Sequence, residues 1–480
     1  MSAVRTDLFI GNTWSPAASG GRFDVLNPAT EEVLASVAEG DAADVARAVE
    51  AARSCFESAE WQGLSARKRG ALLFRAADLL AARLQEMAEL ETRQNGKPLF
   101  ESRIDVNSTI DTLRYYAGWA DKAGGETIPV EGNFFSYIRH EPLGVIGAIV
   151  PWNFPLNLAS WKFAPALAAG CTVVLKPASE TPLTALLMAE IMAEAGFPAG
   201  AFNVVPGHGS TAGSALVKHP GVDKISFTGS TETGRRIMRD AADHVKRISL
   251  ELGGKSPNVI FADADLPAAI RGAQNGIFYG KGEVCAAGSR LLVERSVKDQ
   301  VVEQLAERAR KLVPGDPFEK TTRLGAVVSK KQQEQVLGYI ETGRREGADL
   351  VAGGKAATVG GKGYFVEATV FDGVTPEMTI ATEEIFGPVL AVLPFDDVDH
   401  AIHLANRSVY GLAAGVWTRD VAKAHRVAHA IRAGTVWVNT YNMYDPAAPF
   451  GGFKQSGFGR DLGRQALDQY TETKTVWIAL

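Results

Sequence analysis

Short apolar runs separated by helical stretches dominate the chain from residue 144 onward. They occupy positions 145–150, 172–175, 202–205, 224–227 and 258–261. Strands that are buried on both faces of a parallel sheet show such continuous apolar runs. The alternation of these runs with helices predicts an α/β fold with a doubly wound, Rossmann-like nucleotide-binding domain.

The part of the chain before residue 144 shows helical periods and isolated strands. Residues 8–14 and 22–28 are predicted as a short strand pair, and residues 43–58 as an amphipathic helix. Ser65 is a good N-cap for a helix that extends to about Gly96, where glycine provides a stop. Two further elements are a helix over about 101–123 and an exposed, alternating strand over 134–142.

A second α/β pattern begins after the glycine pair at 253–254. Its helix and strands are predicted at 297–312, 389–394, 413–417 and 435–439. The stretch 473–478 is strand-like and must pair with another strand, for which a second subunit is one candidate.

Composition narrows the classes of function. Of 480 residues, 46% are hydrophobic and 22% are charged, as in an ordinary soluble globular protein. The net charge of −5 gives no excess of basic residues for binding nucleic acid, and the longest apolar runs are far too short to span a membrane. With three cysteines and no apolar signal segment at the N-terminus, we expect a reducing compartment, the cytoplasm.

Cys285 stands in a loop rich in glycine and small residues, at positions 275–290. Small neighbours let other groups approach its sulfur closely, and nearby backbone N–H groups can hold an anion. The other two cysteines differ, because Cys55 lies on a helical pattern and Cys171 opens an apolar strand. On this stretch alone, Cys285 is equally well explained as a buried packing cysteine.

The usual dinucleotide fingerprint, Gly-x-Gly-x-x-Gly, is missing. Instead, segment 227–234 lies where a strand ends and a helix begins, and Ser230 can cap that helix and leave N–H groups for a phosphate. Lys176 leaves the carboxyl end of another strand, toward the crevice where α/β sheets bind ligands. The plain alternatives are a simple strand–helix turn and a surface lysine before a proline.

Four further candidates stand near predicted strand ends. Asn153 offers an uncharged amide donor, which suits an oxyanion. Glu251 lies between leucines, an apolar setting that raises a carboxyl pKa and makes a usable base. Glu384 and Phe386 can hold a ribose and cover a ring. Each also fits an ordinary role, as a turn asparagine, a solvated glutamate, or turn residues before a strand.

Together and in this order, these motifs resemble the aldehyde dehydrogenase superfamily, in particular its hydrolytic NAD(P)-dependent acetaldehyde, retinal and betaine-aldehyde branch. The resemblance covers nearly the whole chain and includes segments 114–120 and 449–457. It implies three parts: a cofactor-binding domain over 1–123 and 143–253, a catalytic α/β domain over 254–469, and a small β oligomerisation element over 124–142 and 470–480.

The resemblance implies a role for each catalytic residue. Cys285 is the nucleophile that attacks the aldehyde, and the Asn153 amide with the Cys285 backbone N–H holds the oxyanion. Glu251 activates the water that hydrolyses the resulting thioester. No histidine neighbours Cys285 in sequence, so its thiolate character is expected from the cationic nicotinamide, local N–H groups and Lys162.

The same resemblance implies a cofactor site for NAD. Its residues are Trp152, Lys176, Ser179, Gly229, Ser230, Leu252, Glu384 and Phe386. Strictly NAD-using members often have glutamate at the position of Ser179, where it repels a 2′-phosphate. Because serine removes that repulsion, we expect NAD with NADP tolerated.

A substrate tunnel is implied at positions that are mostly aromatic or apolar. They are Phe154, Leu158, Trp161, Tyr279, Val284, Asn442, Tyr444 and Phe450. Without a fixed cation, this lining favours uncharged aliphatic or aromatic aldehydes over semialdehyde carboxylates. Any one of the aromatic residues also fits a role in the core.

The resemblance further implies a homodimer or homotetramer, with Glu472 pairing with Arg247 and Arg460 near a subunit boundary. A small-molecule aldehyde is the expected partner, without metal, nucleic acid or membrane. One rival is a coenzyme-A-acylating enzyme, which usually lacks a base at the Glu251 position. A binding protein that has lost its chemistry is another, and thiol esterase action of Cys285 would be a side activity.

Overall fold

The computed structural model describes residues 4–480, and its first large sheet has eight strands. Their spatial order is Thr13–Ser15, Leu8–Ile10, Phe202–Val204, Thr172–Lys176, Val145–Ile149, Lys224–Thr228, Arg247–Glu251 and Gly457–Phe458. The five strands from Phe202–Val204 to Arg247–Glu251 in this order run parallel. Most of their residues are buried, as the continuous apolar runs predict.

The strand order of this sheet reverses between Val145–Ile149 and Lys224–Thr228. The strands that follow Val145–Ile149 in the chain are added on one side of it, and those that follow Lys224–Thr228 are added on the opposite side. In open α/β sheets, ligands bind outside the carboxyl ends of the strands at such a reversal. The fold therefore marks the loops after residues 149 and 228 as a binding crevice.

The second large sheet has seven strands. Their order is Asp349–Ala352, Thr369–Asp372, Val389–Phe395, Arg290–Glu294, Pro257–Ile260, Ala413–Trp417 and Thr435–Val438. All neighbours are parallel except the edge strand Asp349–Ala352. The two sheets confirm the predicted Rossmann-like domain with a second α/β domain.

Smaller sheets complete the β structure. A three-stranded sheet joins Thr471–Ala479, Phe134–Pro142 and Glu126–Ile128. The two-stranded pairs are Arg22–Leu26 with Val33–Ala38, Ala356–Val359 with Lys362–Val366, and Tyr410–Gly411 with Phe453–Lys454.

Helices cover the faces of both large sheets. They are Ala42–Glu57, Ala59–Gln62, Ala66–Ala82, Leu84–Asn95, Leu99–Trp119, Pro155–Ala169, Leu183–Ala195, Ser214–Lys218, Thr231–Ala242, Leu266–Phe278, Lys298–Lys311, Lys330–Arg345, Thr379–Thr382, Val398–Asn406, Val421–Ala430 and Gly463–Asp468. Shorter π or 3₁₀ turns are Gly209–Gly213, Tyr279–Gly282 and Arg295–Val297. Within residues 4–480, none of the helices has both the length and the apolar character needed to cross a membrane.

One predicted strand pairing is wrong. The first two predicted strands do not pair with each other, because Leu8–Ile10 turns back on Thr13–Ser15 through Gly11 and Asn12, which both have positive φ. Such a turn matches the twist of a hairpin. The run at 258–261 belongs to the second sheet, as its position after the glycine pair at 253–254 predicts.

Two other elements differ from their predicted form. The helix capped by Ser65 is interrupted at Arg83, which has φ −107° and ψ 17°, and a separate helix then extends to Gly96. The C-terminal strand Thr471–Ala479 finds its partner in the same chain, since all nine of its residues are in register with Phe134–Pro142.

The predicted ion pairs of Glu472 are only half correct. Arg247 contacts the Glu472 carboxylate at 2.8 Å, but Arg460 donates to the backbone oxygens of Gly452 and Gly459. The Arg460 guanidinium lies over the Phe453 ring and its charge acts on Glu251. Arg460 therefore belongs to the surroundings of Glu251.

Candidate active site

The carboxyl ends of the first sheet carry most of the predicted polar site residues. Trp152 and Asn153 follow Val145–Ile149, Lys176 ends Thr172–Lys176, Gly229 and Ser230 follow Lys224–Thr228, and Glu251 ends Arg247–Glu251. Because the strands are parallel, these side chains meet at one edge of the sheet.

The amino ends of the second sheet supply the groups that face this edge. Cys285 lies shortly before Arg290–Glu294, and Glu384 and Phe386 precede Val389–Phe395. The two sheets are joined by residues 252–256, which connect the strand of Glu251 to Pro257–Ile260. The crevice of one sheet therefore meets the loops of the other.

The glycine pair in this connection allows the closest approach. A Cβ at Gly254 would stand 2.4 Å from the Cys285 carbonyl oxygen, and one at Gly253 would stand 2.1 Å from a Glu384 carboxylate oxygen. The Gly254 N–H also donates to Glu384 Oε1 at 3.0 Å. Any side chain here would push Cys285 and Glu384 away from Glu251.

The Cys285 thiol is strongly disfavoured as a thiolate in the resting site. Burial, then the negative charges of Glu384 and Glu251, raise its pKa from 9.0 to about 12. Backbone N–H groups of Ala286 and Cys285 itself act in the opposite direction. The shift corresponds to roughly 4 kcal/mol against thiolate formation.

Asn153 is fixed by both its side chain and its backbone. Its side-chain Nδ2 donates to the Glu283 carbonyl oxygen at 2.9 Å, and its own carbonyl accepts from Lys97 Nζ at 2.7 Å. An amide has two N–H donors, so one remains for another acceptor. Asn153 is 4% exposed, and its Oδ1 has no hydrogen-bond partner within residues 4–480.

Glu251 has a pKa well above its ordinary value. Burial is the main cause and the charge of Asp461 adds to it, while Lys162 and Arg460 oppose it. Neither carboxylate oxygen has a hydrogen-bond partner in the described chain, and a Cβ at Gly451 would stand 2.6 Å from Oε1. Such a carboxyl group is a strong base once it is deprotonated.

Lys162 is paired with a buried acidic residue of the site. Its ammonium group contacts the Asp461 carboxylate at 2.9 Å, and both side chains are buried. Its charge lowers the pKa of Glu251, against the larger effect of burial. The expected effect of Lys162 on the Cys285 thiol stays a prediction.

Two aromatic residues from opposite sheets meet across the crevice. The Trp152 and Phe386 rings pack edge to face, with centroids 5.3 Å apart. Phe386 has φ +58°, an uncommon conformation for a bulky residue, and its carbonyl accepts from Gln332. Beside them, burial raises the pKa of Glu384 to about 7.

Lys176 lies in the same crevice, where its ammonium group is buried. It is 5% exposed, and burial lowers its pKa to about 8 against the charge of Glu180. Within residues 4–480 its Nζ makes no hydrogen bond. A buried amine without a partner suits the polar group of a ligand.

The remaining predicted cofactor residues lie around the start of one helix. Ser230 accepts from the Thr233 N–H and so caps Thr231–Ala242, as predicted. The Gly229 N–H donates to the Glu251 carbonyl oxygen, and Leu252 packs over Gly234 in the first helical turn. Ser179 donates to the Glu180 carboxylate at 3.2 Å beside a cavity of about 340 Å³.

Seven of the eight predicted tunnel residues form connected apolar surfaces beside Cys285. Leu158, Trp161, Val284 and Phe450 are buried in one cluster, against which Phe154, Tyr279 and Cys285 pack. Tyr444 joins through ring contacts with Trp161 and Phe450, at 6.2 and 5.6 Å. The stacked rings of Phe154 and Tyr279 form a second wall, with centroids 6.4 Å apart.

The side chain of the eighth residue, Asn442, is hydrogen-bonded to the protein backbone. Its Nδ2 donates to the Asn275 carbonyl oxygen at 3.3 Å, and its backbone has φ +59°. Behind the wall, Lys97 Nζ lies 4.2 Å from the centre of the Phe154 ring but is bound to Asp105. The Lys97 ammonium is therefore covered by an aromatic ring and paired with a carboxylate.

Comparison with known sequences agrees with this geometry. The sequence model of the Aldehyde dehydrogenase family matches residues 14–476. The chain belongs to the aldehyde dehydrogenase family.

Named relatives of this aldehyde dehydrogenase are similar over nearly their whole length. Retinal dehydrogenase 2 of Mus musculus is 50% identical over 478 residues, 99% of this chain and 92% of the relative. The mitochondrial aldehyde dehydrogenase of Homo sapiens is 50% identical over 474 residues, 98% of this chain and 91% of the relative. The NAD+ complex of aldehyde dehydrogenase from Bacillus cereus has a TM-score of 0.98 and 52% identity, and covers 99% of this chain and 96% of its own.

Several charged residues of this aldehyde dehydrogenase that surround the site were not predicted. They are Lys97, Asp105, Lys281, Glu283 and Asp461, each no more than 2% exposed. The sequence offered little signal, because charged residues in or near loops are ordinarily exposed. Only the position of Lys281 and Glu283, just before Cys285, could have drawn attention to them.

The raised pKa of Cys285 predicts the pH dependence of its alkylation. In cofactor-free enzyme, iodoacetamide labelling should rise about tenfold per pH unit from roughly pH 7 to about pH 9, since only the thiolate reacts. Glu384→Gln removes a nearby negative charge, lowers the pKa and should speed labelling about threefold or more. Mass spectrometry of the Cys285 peptide measures the rate separately from the buried Cys55 and Cys171.

Glu383→Gln is the matched control, because Glu383 is exposed and bonds to Tyr339. It should leave the labelling rate unchanged. A plateau of the wild-type rate below about pH 9 would contradict the assigned pKa, as would an unchanged rate in Glu384→Gln.

Proposed function

We propose that this chain oxidises uncharged aldehydes to carboxylic acids with NAD+ through a covalent intermediate on Cys285. The observation that carries the proposal is the convergence on one thiol of an amide donor and a buried carboxyl base. The negative charge of Glu251 raises the pKa of Cys285, and the Asn153 side chain donates a hydrogen bond to the carbonyl oxygen of Glu283, two residues before Cys285.

The chain's own residues account for both half-reactions. The Cys285 thiolate adds to the aldehyde carbon, and the free Asn153 N–H with the Cys285 backbone N–H stabilises the oxyanion of the thiohemiacetal. NAD+ held in the crevice would supply the hydride acceptor, and loss of the hydride from that carbon would leave a thioester on Cys285. Glu251 then takes a proton from water, which adds to the thioester and releases the acid and the thiol. The sum is RCHO + NAD+ + H2O → RCOOH + NADH + H+.

The crevice has polar groups that fit a dinucleotide. Lys176 is buried with unused hydrogen-bonding capacity, Glu384 is half-buried, and Trp152 and Phe386 offer ring faces and edges. Lys176 would hold the adenosine ribose, Glu384 the nicotinamide ribose, and the turn at Gly229 and Ser230 the pyrophosphate. The Bacillus cereus relative, described as an NAD+ complex, supports this cofactor.

The substrate preference follows from the lining. The rings of Trp161, Tyr444 and Phe450 form an apolar surface, and the ammonium of Lys97 lies behind Phe154. A carboxylate would lose its hydration there without gaining a partner. Medium-chain alkanals and phenylacetaldehyde would keep only favourable apolar contacts.

The test is the initial rate of NADH formation without coenzyme A, measured by near-UV absorbance. Hexanal and phenylacetaldehyde should be oxidised with kcat/KM at least about tenfold above that of succinate semialdehyde, because the tunnel holds no free cation. Turnover that starts only when coenzyme A is added would favour the acylating branch and overturn the role of Glu251.

Two variants assign the roles within this experiment. Cys285→Ala should abolish oxidation and still bind NAD+, whereas Cys55→Ala should keep the wild-type rate. Glu251→Gln should give a burst of about one NADH per site and then slow turnover, because hydrolysis lacks its base. A Glu251→Gln enzyme without a burst, or with wild-type steady turnover, would assign the base elsewhere.

We also propose that NADP is accepted, because Ser179 places no negative charge at the adenosine end. Lys330 and Lys331 line the same cavity and would favour a 2′-phosphate, against the negative charges of Asp24 and Glu180, which line it as well. Ser179→Glu should lower kcat/KM for NADP by about tenfold or more and change that for NAD less than about threefold. Ser179→Ala is the control and should preserve both values; equal losses with both cofactors in Ser179→Glu would contradict the assignment.

We propose that the chain assembles as a homodimer or homotetramer through its small three-stranded sheet. In this proposal, residues 124–142 and 470–480 form the oligomerisation element. Residues 1–123 and 143–253 form the cofactor domain, and residues 254–469 form the catalytic domain. The outer strand Thr471–Ala479 has an unpaired edge and exposes Trp477 and Ile478 at 58% and 45%. Light scattering should give the mass of two or four chains, and Ile478→Asp should lower it. A monomeric wild type at micromolar concentration would refute the assembly.

A further inference from the structure

A buried ion pair stands immediately before the nucleophile. Lys281 and Glu283 are each 1% exposed, and Lys281 Nζ lies 2.8 Å from Glu283 Oε2. Lys281 belongs to the turn Tyr279–Gly282 and has φ +61°. The proposed chemistry uses neither charge, although breaking a buried pair is costly.

Each member of this pair is anchored to a different part of the chain. Lys281 Nζ donates to the Asn95 carbonyl oxygen at 2.9 Å and to Asn95 Oδ1 at 2.7 Å. Glu283 Oε1 accepts from the Val328 N–H at 3.0 Å. The turn before Cys285 is therefore held between the helix end at Asn95 and a loop at Val328.

The same anchors hold the loop that carries the amide donor. Asn95 Nδ2 donates to the Trp152 carbonyl oxygen at 2.8 Å, and Lys97 Nζ donates to that of Asn153. The Glu283 carbonyl in turn accepts from Asn153 Nδ2 at 2.9 Å. A rotation of the peptide after Glu283 would move both this acceptor and Cys285.

We propose that the Lys281–Glu283 ion pair is a positioning device that sets the Asn153 amide at the correct distance from the Cys285 sulfur. The inference rests on the proposed aldehyde oxidation. Lys281 and Glu283 touch neither substrate nor cofactor; they act through the carbonyl of Glu283 and the amide of Asn153. The pair matters for the step that needs an oxyanion donor and much less for reactivity of the thiol alone.

The experiment compares two reactions of Cys285. The rate of the NADH burst with hexanal requires the Asn153 donor, whereas alkylation by iodoacetamide requires only the thiolate. Glu283→Gln leaves the Lys281 ammonium without its charged partner and should slow the burst about tenfold or more, with alkylation changed less than about threefold. The double variant K281Q/E283Q removes both charges, retains hydrogen-bonding amides and should recover the burst to within about threefold of wild type.

Two controls separate positioning from folding. Lys298→Gln breaks a 2.8 Å ion pair with Asp372, away from the site, and should leave both rates unchanged. A second double variant, K281M/E283L, removes the charges together with the bonds to Asn95 and Val328. It should regain thermal stability relative to the single variants while its burst stays slow.

The outcomes decide between distinct conclusions. The positioning role is overturned by a wild-type burst in Glu283→Gln, by equal losses of burst and alkylation, or by a failure of K281Q/E283Q to recover. If Glu283→Gln does not fold, the slow burst of K281M/E283L beside the fast burst of K281Q/E283Q still supports the role, and equal bursts refute it. A wild-type enzyme that forms no NADH from hexanal and NAD+ would overturn the proposed function, whereas the outcomes above, measured against an active wild type, overturn the positioning role alone.

Discussion

The close contact of two chain segments at Gly253 and Gly254 is the constraint on which the rest of the site depends. The strand that ends at Glu251 and the strand that begins at Pro257 belong to different sheets, and only five residues join them. Because glycine has no Cβ, the Cys285 carbonyl oxygen comes within 2.4 Å of the position that a Cβ at Gly254 would occupy. A Glu384 carboxylate oxygen likewise comes within 2.1 Å of the position that a Cβ at Gly253 would occupy. A base from one sheet thereby meets a thiol and a second carboxyl group from the other.

This arrangement has an electrostatic consequence. Burial is the largest cause of the raised pKa values of Cys285, Glu251 and Glu384, and for Cys285 the negative charges of the two carboxyl groups add to it. The thiol is thus protected from indiscriminate reaction until a cation enters the crevice. A nicotinamide ring is such a cation, and its arrival would favour the thiolate where the substrate carbonyl must sit.

Sequence reasoning succeeded where local pattern determines structure and failed where distant packing does. Continuous apolar runs predicted the parallel strands, and Ser65 and Ser230 predicted helix starts, because these signals lie within a few residues. The apolar texture of the run at 258–261 does not distinguish the two parallel sheets, and only its position after the glycine pair at 253–254 indicates the second. The pairing of Leu8–Ile10 carried a Gly-Asn hairpin signal that was overlooked, whereas the helix break at Arg83 has neither glycine nor proline to mark it.

The buried charges near Asn95 show most clearly what one sequence hides. Lys97 and Lys281 lie among Glu91, Glu101, Asp105 and Glu283, all at most 2% exposed. Burial raises the pKa of Glu91 to about 8 and that of Glu101 to about 7, so near neutral pH Glu91 mostly carries a proton and Glu101 carries one about half of the time. This protonation brings the charge of the carboxyl groups closer to that of the two ammonium groups and lowers the cost of a net buried charge. Because each ammonium also binds a backbone carbonyl, of Asn153 or of Asn95, the cluster ties the loop of the amide donor to the turn before the nucleophile.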